Sequence, residues 1–484
     1  MYRRFLFSVL TVFAMASTGQ AKVKLHHLIG DNMILQQQTD ARLWGWADKG
    51  KTVKVTTSWS KDTYRVTADK EGRWEVYVKT PQASYTPLSI TFDDGEKTTI
   101  NNVLAGEVWV CAGQSNMQMP VRGFGNCPIE GYTEEVVNAN QYKAIHYVKI
   151  PELMRMTPQE DANCEWKEVS TKTVANASAV GYFFAQVVNK VLDVPVGLIM
   201  ANKGGTRVES WLTKENLEKY TNEPTDSDGI VKFKPEWDYQ RAMLWGNGTF
   251  NPILKYSVKG IIFYQGCSNV GDPGNQYSER LKLLVEQWRK QFGCGEIPFY
   301  FVEIAPYHYD NVDADWGARL REQQYRASQI IPNSGLVSTN DLVYPYEKTQ
   351  IHPCKKKPVG QRLAYLALNK TYGFDEIGCV GPSYKDMKIT GNIVDIHLNN
   401  DLGAISRFED IEGFELAGED RVFHPAKAEH FWQPGGGYWD ETIRITSPEV
   451  EKPVAVRYCF KNFQIGNLKN AAGLPLYPFR TDEW

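Results

Sequence analysis

The chain has 484 residues, 42% hydrophobic and 23% charged, with a formal net charge of −3. That length corresponds to about three domains of ~150 residues, and the composition is that of a globular protein. The near-balanced charge, with no basic stripe, excludes a nucleic-acid surface as the main function.

Residues 1–21 read as a signal peptide. Arg3 and Arg4 form a basic start, Phe5 to Ala16 an apolar run, and Gly19-Gln20-Ala21 a small-x-small cleavage pattern. The run is too short for a membrane span, and no later apolar run is long enough. The mature chain is therefore expected to be exported, periplasmic or extracellular, with no membrane span. Residues 22–105 read as β: Ala41–Trp46, Lys51–Thr56 and Arg73–Val78 alternate or carry β-branched and aromatic residues between turn signals such as Asp48-Lys49-Gly50. Short strands at this spacing predict a β-sandwich-like domain.

From 106 to 375 the pattern becomes α/β. Val180, Phe183, Phe184, Val187, Val188, Val191 and Leu192 mark one face of a helix. Buried strands are expected at 195–200, 259–264, 297–302 and 335–338, and helices at 277–292, 319–331 and 358–370. Such alternation predicts a parallel sheet with ligands at the carboxyl ends of its strands. The polar segment 216–241 reads as an inserted loop or lid. Residues 376–484 return to β, with strands at 393–398, 442–446 and 454–459 and a Pro434-Gly435-Gly436-Gly437 break. The two β-regions are either separate domains or one discontinuous unit.

Eight cysteines, at 111, 127, 164, 267, 294, 354, 379 and 459, show no CxxC and no metal-ligand spacing. Export permits disulfides, but spacing does not set their pairing. Cys111, Cys267 and Cys459 fall in strand-like runs and read as small buried hydrophobes.

Chemistry-bearing residues cluster where strands end. Val108–Cys111 leads to Gln114-Ser115-Asn116, Leu198–Ala201 to Asn202-Lys203-Gly204-Gly205-Thr206, and Ile261–Tyr264 to Gln265-Gly266-Cys267-Ser268-Asn269. If these strands are parallel, a nucleophilic serine, glycine amides and carboxamides meet at one spot. That is the composition an oxyanion site needs. The pattern is not G-x-S-x-G, since Met117 stands where the last glycine would be. Eight histidines compete for the role of base. His308 follows a strand and is a competitor. His352, between the 335–338 strand and the 358–370 helix, lies on the face expected to hold Ser115.

Four segments in this order, Gly113-Gln114-Ser115-Asn116-Met117, Gly204-Gly205-Thr206 with Glu209-Ser210-Trp211, Tyr264-Gln265-Gly266 with Ser268-Asn269, and Ile351-His352-Pro353, resemble the sialate O-acetylesterase family, an SGNH-like branch of serine esterases. The C-terminal Gly473–Asp482 resembles the family's end, and the resemblance covers nearly all of the mature chain. It implies a three-layer α/β hydrolase domain flanked by β-domains, with Ser115 as nucleophile and His352 as general base. The implied oxyanion donors are the Ser115 amide, a Gly204 or Gly205 amide, and the side chain of Gln265 or Asn269. No metal or organic cofactor is implied.

Two departures stand out. Many SGNH-like enzymes carry an Asp three residues before the histidine, where this chain has Thr349; Glu347 and Asp341 are the nearby acids, and a Ser–His dyad is the alternative. Family members often read Gln-Gly-Glu-Ser-Asn, where this chain has Cys267. Gln114 and Asn116 are expected to touch substrate. Arg207 is a candidate reader of a substrate carboxylate, its structural alternative being an ion pair with Glu209. The expected function is hydrolysis of O-acetyl esters of carbohydrates, sialic acid first. Acetylated plant polysaccharide such as xylan is the nearest rival substrate, and a non-catalytic carbohydrate-binding protein the rival of another class.

Overall fold

The computed structural model describes residues 22–142, 144–235, 237–271, 276–400, 409–432 and 441–484. The expected 1–21 signal peptide and the Pro434–Gly437 break lie outside these residues. No helix among the described residues is long and apolar enough to cross a membrane.

The N-terminal region contains strands Ile34–Gln36, Asp40–Trp46, Thr52–Thr57, Thr63–Thr67, Arg73–Lys79 and Ser84–Asp93. It is joined to the rest by β1, Lys97–Gly113. The first half of β1 pairs with Ser84–Asp93 and Ile34–Gln36, and its second half enters the middle of the α/β sheet. The change of pattern seen near Gly106 is thus a change of partners along one unbroken strand.

The α/β sheet also contains β2 (Ile145–Lys149), β3 (Trp166–Glu168), β4 (Val196–Asn202), β5 (Gly260–Tyr264), β6 (Phe299–Val302) and β7 (Ser334–Val337). Their order is β3-β2-β4-β1-β5-β6-β7. All neighbours are parallel except β3, which runs antiparallel on the edge. The expected parallel sheet therefore carries one antiparallel strand at its edge. β3 gave no clear signal because three residues are too few for a periodic pattern.

Both faces of the second half of β1 are buried. Trp109 and Cys111 join the core beneath α2 (Ala179–Leu192), and Val108, Val110 and Ala112 join the core on the opposite face with α3 (Tyr277–Phe292). This explains the continuous apolar run. α2 begins at Ser178, whose Oγ accepts the Gly181 N–H at 3.1 Å, a side-chain cap. α3 ends at Gly293 in the left-handed region. α4 (Trp316–Ile330) packs on α3, and α5 (Lys356–Lys370) on α2.

The C-terminal region forms two four-stranded sheets. It is tied to the α/β region by Arg480 on Glu322 at 2.8 Å, Tyr477 Oη on the Leu336 carbonyl at 2.8 Å and Asn340 Nδ2 on the Leu476 carbonyl at 2.9 Å. All eight cysteines are free thiols.

Candidate active site

Ser115 opens the one-turn helix α1, Ser115–Gln118, at the carboxyl end of β1. The chain reaches it through Gly113, at φ +123°, where a Cβ would stand 2.2 Å from the Tyr264 carbonyl oxygen. Only glycine fits there. The Gln114 N–H then donates to that same carbonyl at 2.8 Å. Asn202 of β4 and Tyr264 of β5 both lie in register with Gly113. The loops after three adjacent strands therefore leave the sheet level with Ser115. A Cβ on Gly204 would come 3.2 Å from Ser115 Cβ, so the glycine turn lies directly against the serine. Ser115 is half-buried.

His352 is carried on the loop between β7 and α5. Asn116 joins that loop to the serine turn: its Nδ2 donates to the Ile351 carbonyl at 3.0 Å, and its Oδ1 accepts from Lys356 Nζ at 2.6 Å. The imidazole packs edge-to-face with Phe124 at 5.2 Å between centroids, and Nδ1 lies 3.8 Å from Cys127 Sγ. Nε2 is buried without a hydrogen-bond partner. Burial first, and the Lys356 charge second, push the His352 pKa down to about 4, so the ring is neutral at pH 7. Lys356 is 1% exposed. Burial brings its own pKa down to about 8 against the opposing pull of Glu347 and the Cys267, Cys354 and Cys127 thiols.

Several expected roles are corrected. Glu347 accepts the backbone N–H groups of Tyr344 and Cys354, both at 2.9 Å, and so shapes the loop without reaching the imidazole. Asp341 forms a bidentate pair with Arg362 at 2.7 Å and a further ion pair with Lys469 at 3.0 Å. Neither acid orients His352; among the described residues the side-chain neighbour of its Nδ1 is Cys127. Gln114 and Asn116 are structural. Gln114 Oε1 accepts the Gly266 N–H at 2.8 Å, and both side chains are buried.

The oxyanion set also changes. The Gly204 N–H is taken by Gln118 Oε1 at 2.7 Å. Gln265 Nε2 donates to the Thr206 carbonyl at 3.1 Å and to Asn269 Oδ1 at 2.8 Å, while its Oε1 accepts from Tyr277 Oη at 2.7 Å. Asn269 Nδ2 donates to Glu209 at 2.9 Å. Gln265 thus spends both of its amide hydrogens in holding the loops together. The Ser115 and Gly205 N–H groups make no internal hydrogen bond among the described residues. Gly205 is roofed by Tyr239, against whose ring a Cβ would come within 2.2 Å. Tyr239 in turn stacks on Trp237 at 5.9 Å and 4°, and Trp237 is 52% exposed. Both aromatics belong to the 216–241 segment.

Arg207 takes neither expected role. It grips Glu223 with two hydrogen bonds of 2.7 Å and donates to the Gln240 carbonyl, while Glu209 pairs with Arg280 at 2.9 Å. Arg207 thus anchors the 216–241 segment. Arg207→Ala is expected to destabilise the fold by about 1–3 kcal/mol, since a largely buried pair loses one partner. It should leave the preference between acidic and neutral substrates unchanged. Thermal unfolding beside paired kinetics checks both.

Cys267 is desolvated beside Tyr309, Lys356 and Arg321, and its thiol is pushed up to about 11, too high for a thiolate nucleophile at neutral pH. Among the described residues no three His, Cys, Asp or Glu side chains are grouped to hold a metal. A groove of about 540 Å³ opens beside the serine turn, with Gln118, Phe124, Met200 and Asn202 among its walls. Cys127, Phe124 and Gln118 carried no signal in the sequence for a place at the site, and Lys356 only a hint, as a charge four residues after the histidine.

The chain is 28% identical to human sialate O-acetylesterase over 393 residues, 73% of this chain and 72% of that one. It is 25% identical to the mouse sialate O-acetylesterase over 448 residues, 80% and 81% of the two chains. The crystal structure of a carbohydrate acetylesterase from Xanthomonas citri superposes with a TM-score of 0.82 at 28% identity, covering 96% of this chain and all of that one. Residues 105–369, over half the chain, match the family described as carbohydrate esterase, sialic acid-specific acetylesterase. The chain therefore belongs to that family and is a carboxylic ester hydrolase, which removes the binding-only alternative.

Proposed function

We propose that this esterase removes O-acetyl groups from carbohydrates, O-acetylated sialic acid first, through a Ser115 acyl-enzyme with His352 as general base. The observation that carries the reading is the link between the two residues. Asn116, itself held by Lys356, ties the serine turn to the histidine loop, and His352 is a neutral ring with an unpaired Nε2. No hydrogen bond joins Ser115 to His352, and such bonds often tighten only in the substrate complex.

In the first step Ser115 Oγ attacks the acetyl carbonyl carbon and Nε2 takes the hydroxyl proton. The Ser115 and Gly205 amides receive the charge that develops on the carbonyl oxygen. Collapse breaks the bond to the sugar oxygen, which takes the proton back from His352. Water then attacks the acetyl-serine by the same route and releases acetate. With no acid in contact, the imidazolium formed on the way is opposed by burial and by Lys356, and the negative carbonyl oxygen is the charge that offsets them.

The rest of the reading follows the family. An SGNH-like domain over 106–375 is flanked by β-sandwich-like regions at 22–105 and 376–484, and residues 1–21 direct export. The second substrate reading, a neutral polysaccharide such as acetylated xylan, is favoured by the exposed Trp237 stacked on Tyr239 above Gly205, since such rings stack on sugars.

The test is a panel of O-acetylated sialic acid, acetylated xylan oligomers and p-nitrophenyl acetate. The highest kcat/KM is expected on the sialate; a preference for xylan would move the substrate, and no hydrolysis of any ester would sink the reading. Lys356→Met is expected to move the acid limb of kcat/KM modestly upward from about 4, because the Lys356 charge is gone while burial, the larger cause of the depression, remains. A pH–rate profile of the variant reads this directly.

A further inference from the structure

We infer that Arg122 reads a substrate carboxylate, so that the groove beside Ser115 accepts O-acetylated acidic sugars in one orientation. The inference rests on the esterase reading above. Arg122 lies in the wall of the same groove as Gln118 and Phe124. Those two residues mark the reactive end: Gln118 holds the Gly204 amide, a Cβ on Gly204 would meet Ser115, and Phe124 packs on the His352 ring.

The backbone around Arg122 is rigidly set. Val121 and Arg122 donate to the Ala177 and Ala175 carbonyls at 2.9 and 3.1 Å, and Gly123 closes a turn on the Pro120 carbonyl at 2.7 Å. One short turn thus places a guanidinium and the aromatic support of the catalytic histidine in a single wall.

Charge in the groove singles out the same residue. Lys149 is paired with Glu152 at 3.5 Å and Lys167 with Glu165 at 3.2 Å. Arg122 is exposed and makes no ion pair among the described residues. Its planar fork suits a carboxylate, which it can hold by two parallel hydrogen bonds. Arg207, the other arginine near the glycine turn, is spent on Glu223.

The experiment compares 9-O-acetyl-N-acetylneuraminic acid with its methyl ester, which keeps the sugar and the acetyl group but loses the charge. In Arg122→Ala the ratio of kcat/KM for the acid to that for the methyl ester is expected to fall roughly tenfold to a hundredfold, mainly through KM. Arg122→Lys should keep part of the ratio, since charge remains while the fork is lost. Added salt should depress the wild-type ratio and leave that of Arg122→Ala flat. An unchanged ratio in Arg122→Ala overturns the inference, as does an equal loss on both substrates. Failure of the esterase reading looks different: the wild-type protein would then hydrolyse neither compound, nor p-nitrophenyl acetate.

Discussion

Ser115→Ala is expected to lower kcat on p-nitrophenyl acetate and on acetylated sugars by about 10⁴–10⁶-fold, the range seen when the nucleophile of a serine hydrolase is removed. No neighbouring group can take over. Burial raises the pKa of the Cys127 thiol beside the imidazole and holds that of Cys267 up to about 11. The substitution removes one oxygen from a half-buried side chain whose hydroxyl makes no hydrogen bond among the described residues. Its cost in stability should therefore stay within about 0.5 kcal/mol, as for substitutions that disturb no packing or hydrogen bond, and Tm should move by no more than a few degrees. Wild-type Tm with lost turnover separates chemistry from unfolding. Undiminished turnover would end the Ser115 mechanism.

His352→Ala is expected to reduce kcat by about 10³–10⁵-fold. The wild-type pH profile carries the finer test. The base must be neutral, so kcat/KM rises with pH through the free-enzyme pKa of His352. Burial and Lys356 set that pKa at about 4, and the acid limb should lie there. A limb near 6.5 would contradict the environment described for the ring.

The same depression has a thermodynamic sign. Between pH 6.5 and 4 the unfolded chain binds a proton at this position and the folded chain does not, so stability falls as pH drops through that window. His26, also lowered to about 4 by burial that outweighs the pull of Asp161, acts in the same direction. Denaturation midpoints measured from pH 7 to pH 4 should decline over that interval.

Much of the scaffold was legible because its signals are local. The 3.6-residue spacing of apolar side chains located the 179–192 and 277–292 helices, and unbroken apolar runs located β4 and β5 because both their faces are covered. The antiparallel edge strand β3 is three residues long, too short for a periodic pattern. The continuity of β1 was hidden because its two halves face different partners: the first has one face in solvent, the second none.

The candidate site divides in the same way. Residue type and chain position marked Ser115, the Gly204-Gly205 turn and His352, because a nucleophilic turn needs glycine before it and a base needs an imidazole. What those residues touch could not be read. Arg207 met Glu223 rather than Glu209 because the 216–241 segment folds back across it. Gln265 spends both amide hydrogens on the Thr206 carbonyl and Asn269 Oδ1, which removes it from the donor set. The acids Glu347 and Asp341 are near the histidine in sequence, yet each is captured by a closer donor.

By itself, then, the order of residues determined which elements form and which side chains carry chemistry, since both depend on neighbours within a turn or two of chain. Only the tertiary structure decided protonation and pairing. Lys356 bears on Asn116 and His352 across the folded interior, Cys127 faces the imidazole from 225 residues away, and Arg122 enters the groove through a turn pinned to Ala175 and Ala177. Burial and Coulomb forces act through space, and no local pattern along the chain records which distant groups will share a low-dielectric site.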